Sequence, residues 1–148
     1  MLYTVGEMAK RLGIAPSTLR YYDQEGLLPF VERSSSGMRM FKDSDYEWLQ
    51  VIECLKKTGM QLKNIREFIE MAMQGDETIE PRLALITKQK MAVQAQIAEL
   101  EETRHTLEFK EWYYTTAKEH GTTAVPREMP LEALPEQFRQ IRIKLKGE

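Results

Sequence analysis

The sequence predicts a mainly α-helical protein, in which a winged helix-turn-helix is followed by one long coiled-coil helix. Two short helical patterns come first, at residues 5–12 and 16–24, and a glycine lies between them. A polar hairpin follows, and an apolar repeat with spacings of four and three then runs from about residue 78 to 118. We expect a winged helix-turn-helix DNA-binding domain at 1–75, a coiled-coil dimerisation helix at 76–120 and a C-terminal tail at 121–148.

The composition excludes several classes of protein. The chain has 148 residues and a net charge of -2, which suits one or two small units. Its one cysteine, Cys54, allows neither an intrachain disulfide nor a cysteine-rich metal site. No nucleophile–base pair, paired acid or phosphate loop stands out, so we predict no enzyme activity, no metal and no cofactor. The sequence has neither a membrane-length apolar run nor a signal peptide, and we expect a cytoplasmic protein.

The first two helices have recognisable ends. Thr4 and Glu7 have the spacing of a capping box, in which each side chain accepts from the other residue's backbone N–H. Gly13 ends the first helix. Pro16 is expected in the first turn of the second helix, where its missing N–H costs nothing, and Gly26 is the expected stop.

The second helix carries the side chains best suited to nucleic-acid contact. Ser17 and Thr18 lie at its N-terminal end, and Arg20 is placed for phosphate or base contact together with Tyr21. Adjacent helical positions differ by about 100°, so we expect Tyr21 to face outward and Tyr22 to pack toward the core or the hairpin. The alternative is an ordinary helical hairpin with amphipathic tyrosines.

The hairpin at residues 27–41 is the predicted wing. Arg33 and Arg39 flank its serine- and glycine-containing tip, and we expect both to contact the DNA backbone. The alternative is a solvated hairpin. Two further helices are predicted at about 43–58 and 62–73, and Lys57 and Lys63 lie on either side of the turn between them. Through Arg66 there are 10 basic and 8 acidic residues, so DNA binding must depend on where a few cations are placed.

The apolar repeat predicts the dimer interface. A lone helix of this length, roughly 60 Å, cannot bury its own apolar seam, so a second copy is expected. Lys90, Arg104 and Glu111 interrupt the seam, and such polar positions often fix register. The predicted interface residues are Ile79, Leu83, Ile86, Val93, Ile97, Leu100, Leu107 and Tyr114.

The end of the chain leaves two alternatives open. Trp112, Tyr113, Tyr114 and His120 either line a small-molecule pocket or pack at an interface. The basic amphipathic stretch 138–146 either packs as a short helix or frays.

From its start to about residue 118 the chain resembles the MerR family of bacterial transcription regulators. Two positions depart from the family pattern: Met38 stands where an aromatic is frequent, and Ala15 is a poor helix cap. The similarity lies in the first helix, the recognition helix, the wing, the second helix pair and the long helix, with the motifs 4–10, 19–23, 26–28, 37–41 and 58–60, together with Ile65.

The resemblance implies an antiparallel coiled-coil homodimer on a pseudo-palindromic promoter. Family members bend and untwist an overlong promoter spacer so that RNA polymerase can engage it, and part of their specificity would then be indirect readout. The remaining alternative is a coiled-coil interaction protein whose N-terminal module is vestigial.

The sequence says less about the effector, the ion or small molecule to which such a regulator responds. The long helix lacks the cysteines of metal-sensing relatives, and the tail is too short for the ligand domain of drug-sensing ones. A single cysteine in the third helix resembles the aldehyde- and thiol-stress-responsive branch, which makes Cys54 a possible sensor of electrophiles or aldehydes with nearby lysines that favour its thiolate. The alternative is that Cys54 is a small buried hydrophobe.

Overall fold

A computed structural model of the chain describes residues 1–147. These residues form two compact units, one extending to Val93 and the other beginning at Gln94. The domain boundaries expected from the sequence stay a prediction.

The first unit opens with strand β1 (Leu2–Tyr3) and helices α1 (Val5–Leu12) and α2 (Pro16–Gln24). The predicted capping box is confirmed: the Glu7 N–H donates to Thr4 Oγ1 at 3.3 Å, and the Thr4 N–H donates to Glu7 Oε2 at 2.9 Å. Gly13 ends α1 in the left-handed region at φ 72°, which an L side chain adopts only with strain. The helix-turn-helix is therefore built by local signals.

A three-stranded antiparallel sheet forms the wing. Strands β2 (Glu32–Arg33) and β3 (Arg39–Lys42) make the expected hairpin, and β1 pairs with the other side of β3 in the order β1-β3-β2. The sequence did not predict β1, since a two-residue strand shows no periodicity. Its pairing of Tyr3 with Phe41 holds the wing against the start of α1.

Helices α3 (Asp43–Lys57) and α4 (Leu62–Gln74) follow the wing at the predicted positions. The expected division between the two tyrosines is confirmed: Tyr22 is 1% exposed and Tyr21 is 45% exposed. One apolar core joins the helices to the wing, and it contains Met8, Ala9, Leu19, Tyr22, Leu27, Leu28, Phe41, Leu49, Ile52, Leu55, Ile65, Phe68 and Ile69.

The long helix α5 spans Ile79–His120 and follows a short 3₁₀ turn at Asp76–Thr78. In the single chain its predicted seam is largely uncovered. Val93 is half-buried, and the remaining seam positions are exposed, namely Ile79, Leu83, Ile86, Ile97, Leu100, Leu107 and Tyr114.

The second unit has its own small core, which the sequence did not predict. Helices α6 (Ala124–Glu128) and α7 (Arg139–Lys146) fold there, so the basic stretch 138–146 forms a packed helix. The core consists of Phe109, Leu134 and Phe138, with Trp112, Tyr113, Met129 and Ile141 against it. Trp112 and Tyr113 thus pack within their own chain. Among residues 1–147, no helix has the length and hydropathy that a bilayer span requires.

Candidate nucleic-acid interface

A groove of about 350 Å³ lies between the start of α1, the recognition helix α2 and the wing. Arg20 from α2 and Arg39 from β3 both line this groove, together with the residues at the start of α1. At the start of α1 the capping box of Thr4 and Glu7 already occupies backbone N–H groups, and the Glu7 carboxylate offsets the partial positive charge of the helix end. The positive charge of the groove therefore comes from its two arginines, of which Arg39 pairs with Asp23 and Arg20 forms no ion pair among residues 1–147. The groove is lined by Thr4, Val5, Gly6, Arg20, Gly37, Met38 and Arg39.

The predicted contact residues of α2 lie at or near the surface. Ser17, Arg20 and Tyr21 are exposed, and Thr18 is half-buried. Ala15 supplies no side-chain hydrogen bond at the N-cap, so no side chain there competes with a ligand for the N–H groups of the first turn. Pro16 has no N–H and the Thr18 N–H donates to the Ala15 carbonyl at 3.0 Å, which leaves the Ser17 N–H of this turn for a phosphate.

The two wing arginines share one carboxylate on α2. Asp23 Oδ2 lies 2.6 Å from Arg39 Nε and 2.9 Å from Arg33 Nη2. Arg33 also donates from Nη1 to the Gly37 carbonyl at 2.9 Å, and its side chain remains half exposed. Arg39 is more enclosed, with 18% of its side chain exposed. Asp23 was not predicted from the sequence as a functional residue, because only folding brings Arg33 and Arg39, which lie 10 and 16 positions further along the chain, to its carboxylate.

The lysines near the turn between α3 and α4 divide into two groups. Lys57 and Lys63 are exposed and form no ion pair within the part of the chain that the structure describes. Lys56 instead donates to the Tyr22 hydroxyl at 3.1 Å and lies 5.0 Å from the centre of its ring. Lys57 and Lys63 therefore remain available to a phosphate.

The Tyr22 hydroxyl connects α2 to α3. It donates to Glu53 Oε1 at 2.5 Å, and burial, followed by this hydrogen bond, raises the pKa of Tyr22 well above its usual range. A tyrosine hydroxyl can donate to a carboxylate only while it is protonated, so the raised pKa of Tyr22 keeps this hydrogen bond in place. Glu53 had no predicted role.

Cys54 lies next to Glu53 on α3, and its side chain is an exposed free thiol. The alternative of a small buried hydrophobe is wrong, since the residue faces solvent. No group of three or more metal-ligating side chains occurs among residues 1–147.

Asp43, at the start of α3, holds the N-terminal strand in place. It accepts from the Tyr3 hydroxyl at 2.8 Å, from the Met1 amino group at 3.1 Å and from Arg11 at 3.1 Å. These bonds, that from Tyr3 first, hold the pKa of the Asp43 carboxyl below its usual value. The same bond raises the pKa of Tyr3. The cluster fixes β1, and with it the N-terminal wall of the groove.

Comparisons of the sequence with family models and with known proteins point to one family. Residues 3–72 match the MerR HTH family regulatory protein model, and residues 46–108 match the MerR DNA-binding model. An uncharacterised HTH-type transcriptional regulator of Haemophilus influenzae is 48% identical over 122 residues, which are 82% of this chain and 90% of the relative.

Two solved structures show the same fold. The first is HiNmlR, a MerR family regulator lacking the sensor domain and bound to promoter DNA. It is 47% identical with a TM-score of 0.76, and the match covers 83% of this chain and 98% of HiNmlR. A MerR family regulator from Bacillus thuringiensis is 38% identical with a TM-score of 0.68, over 80% of this chain and 99% of that one.

Proposed function

This chain belongs to the MerR family of transcription regulators, and we propose that it binds promoter DNA as a homodimer through the groove between α2 and the wing. The observation that carries the proposal is the convergence of Arg20, Arg39 and the start of α1 on one concave surface. A regulator of this kind works where the bacterial chromosome lies, in the cytoplasm.

The proposed contacts fall into two roles. Arg20 and Tyr21 meet the backbone or base edges from the exposed face of α2. Arg39, held by Asp23, positions the wing and offers its remaining N–H groups to the groove. The full proposed contact set is Ser17, Thr18, Arg20, Tyr21, Arg33, Arg39, Lys57 and Lys63.

The uncovered seam of α5 supports the proposed dimerisation. Seven large side chains along it are between 40% and 68% exposed in the single chain, and burying such a row stabilises a helix pair. A two-fold dimer matches a two-fold DNA site. We propose that the dimer distorts the promoter DNA between its two half-sites so that RNA polymerase can engage the promoter. Part of the sequence specificity of the dimer would then come from the energy needed to deform the DNA.

Cys54 is the proposed sensor of an electrophile such as an aldehyde. Its thiolate would add to the carbonyl carbon, while the C=O π electrons pass to the oxygen, which takes up a proton. Two observations support the proposal. The thiol is exposed, and the preceding residue, Glu53, accepts the hydrogen bond of Tyr22 on the recognition helix. A change at Cys54 therefore lies one residue from the contact that holds α2.

Fluorescence anisotropy on a promoter duplex from the source genome tests the DNA-binding proposal. We expect Arg20→Ala to weaken binding by about tenfold and to reduce the salt slope by roughly one. Lys118→Ala is the matched control, because Lys118 is an exposed cation on α5 outside the proposed surface. Equal affinity and slope for Arg20→Ala and the wild type would contradict the proposed groove.

A further inference from the structure

The second unit contains a cavity that the DNA-binding proposal does not use. It has a volume of about 460 Å³, within the range of small-molecule sites. The family models end at residue 108, and every residue that lines this cavity lies beyond that point. The lining residues are Arg127, Glu128, Met129, Pro130, Leu131, Arg142, Ile143 and Lys146.

Arg142 is the unusual member of this lining. Only 6% of the residue is exposed, and its guanidinium lies 5.9 Å from the centre of the Phe109 ring. It donates to the carbonyl oxygens of Met129, at 3.1 Å, and of Pro126. Within residues 1–147 it forms no ion pair with a carboxylate. Both terminal nitrogens of the guanidinium thus donate to backbone carbonyls, and among residues 1–147 no carboxylate neutralises its charge.

A buried cation without a counter-ion is costly, because carbonyl dipoles compensate a full charge only in part. The neighbours of Arg142 in the cavity add to the positive charge. Arg127 and Lys146 are basic, and Glu128, the one acidic lining residue among residues 1–147, lies 3.4 Å from Arg127 Nη2. The described residues of the lining therefore carry an excess of positive charge that an incoming anion would neutralise.

The rest of the lining is apolar and comes from Met129, Pro130, Leu131 and Ile143. We propose that this cavity binds a small amphiphilic anion, with its carboxylate or phosphate group at Arg127, Arg142 and Lys146 and its apolar part against these four residues. Since Arg142 already joins α7 to the chain before it, the ligand would bind to a site whose central cation is fixed in advance.

Isothermal titration calorimetry on the full-length protein tests the proposal with three probes, octanoate, octyl phosphate and octanol. The probes have hydrocarbon tails of similar length and differ in the charge of the headgroup. We expect saturable binding, one ligand per chain, of octanoate, octyl phosphate or both. Whichever anion binds identifies the headgroup. Octanol lacks a charge and should bind at least about tenfold more weakly. The assay needs no DNA, so its failure would leave the proposed function unaffected.

The paired variant Arg127→Gln with Lys146→Gln keeps the Arg142 contacts and should weaken anion binding by at least about tenfold. Lys144→Gln is the matched control, because Lys144 is a cation of the same helix that pairs with Glu102 and does not line the cavity. Circular dichroism checks that both variants fold. The proposal is overturned if neither anion binds, if octanol binds as tightly as the anions, or if the paired variant binds like the wild type.

Discussion

Asp23 Oδ2 lies 2.6 Å from Arg39 Nε, and this contact joins the recognition helix to the wing. The same oxygen lies 2.9 Å from Arg33 Nη2, so one carboxylate orients both wing arginines. Both Asp23 and Arg39 are mostly shielded from water, and charged hydrogen bonds in such surroundings are stronger than those at the open surface. The wing is thereby held at a set distance from α2 before any DNA binds.

We expect Asp23→Asn to lower the free energy of unfolding by about 1–3 kcal/mol, because charge-assisted bonds to two arginines are lost. We also expect the ratio of promoter to non-specific DNA affinity to fall, since the wing is no longer held in place. Urea unfolding and anisotropy measure the two effects. Glu47→Gln, at an exposed acidic position of α3, is the control. An unchanged unfolding midpoint for Asp23→Asn would show that the contact contributes little.

The Asp43 cluster predicts a pH dependence of stability. The pKa of this carboxyl is lowered in the folded chain, so its contribution is fully present above its unfolded pKa of about 3.9 and is lost as the pH falls through the lower folded value. We expect Asp43→Asn to flatten the loss of stability below about pH 4. Denaturation at a series of pH values compares the variant with the wild type. If the stability of the variant and that of the wild type fall in parallel as the pH is lowered, the Asp43 carboxyl does not cause the acid sensitivity.

Ile97→Asp tests the dimer seam. Ile97 is 51% exposed in the single chain, so a charge there leaves the monomer core intact while it opposes burial between two copies. We expect a monomer by analytical ultracentrifugation and a loss of cooperative operator binding. Ala95→Asp places the same charge on another face of α5 and should remain dimeric. If both variants sediment as the wild type does, the seam is not the interface.

Cys54→Ser tests the sensor. We expect operator binding to stay within about twofold of the wild type, because the thiol lies outside the groove. Induction of a promoter fusion by aldehydes or oxidants should be abolished, since serine does not form the reactive thiolate. A variant that still responds in full would reject Cys54 as the sensor.

Much of the first unit was predictable because its signals are local. The Thr4–Glu7 capping box, Pro16 in the first turn and the opposite orientations of Tyr21 and Tyr22 all depend on residues a few positions apart. The periodicity of α3, α4 and α5 likewise gave their bounds within a few residues.

The sequence by itself determined the helix-turn-helix, the wing hairpin and the long helix, together with the family to which they belong. Tertiary structure alone decided that Asp23 joins both wing arginines, that Tyr22 reaches Glu53, and that the tail folds onto Phe109 around a buried Arg142. The physical reason is range: helix ends and hydrophobic periods are written in neighbouring residues, whereas these contacts join residues 10 to 33 positions apart. No local pattern encodes such separations.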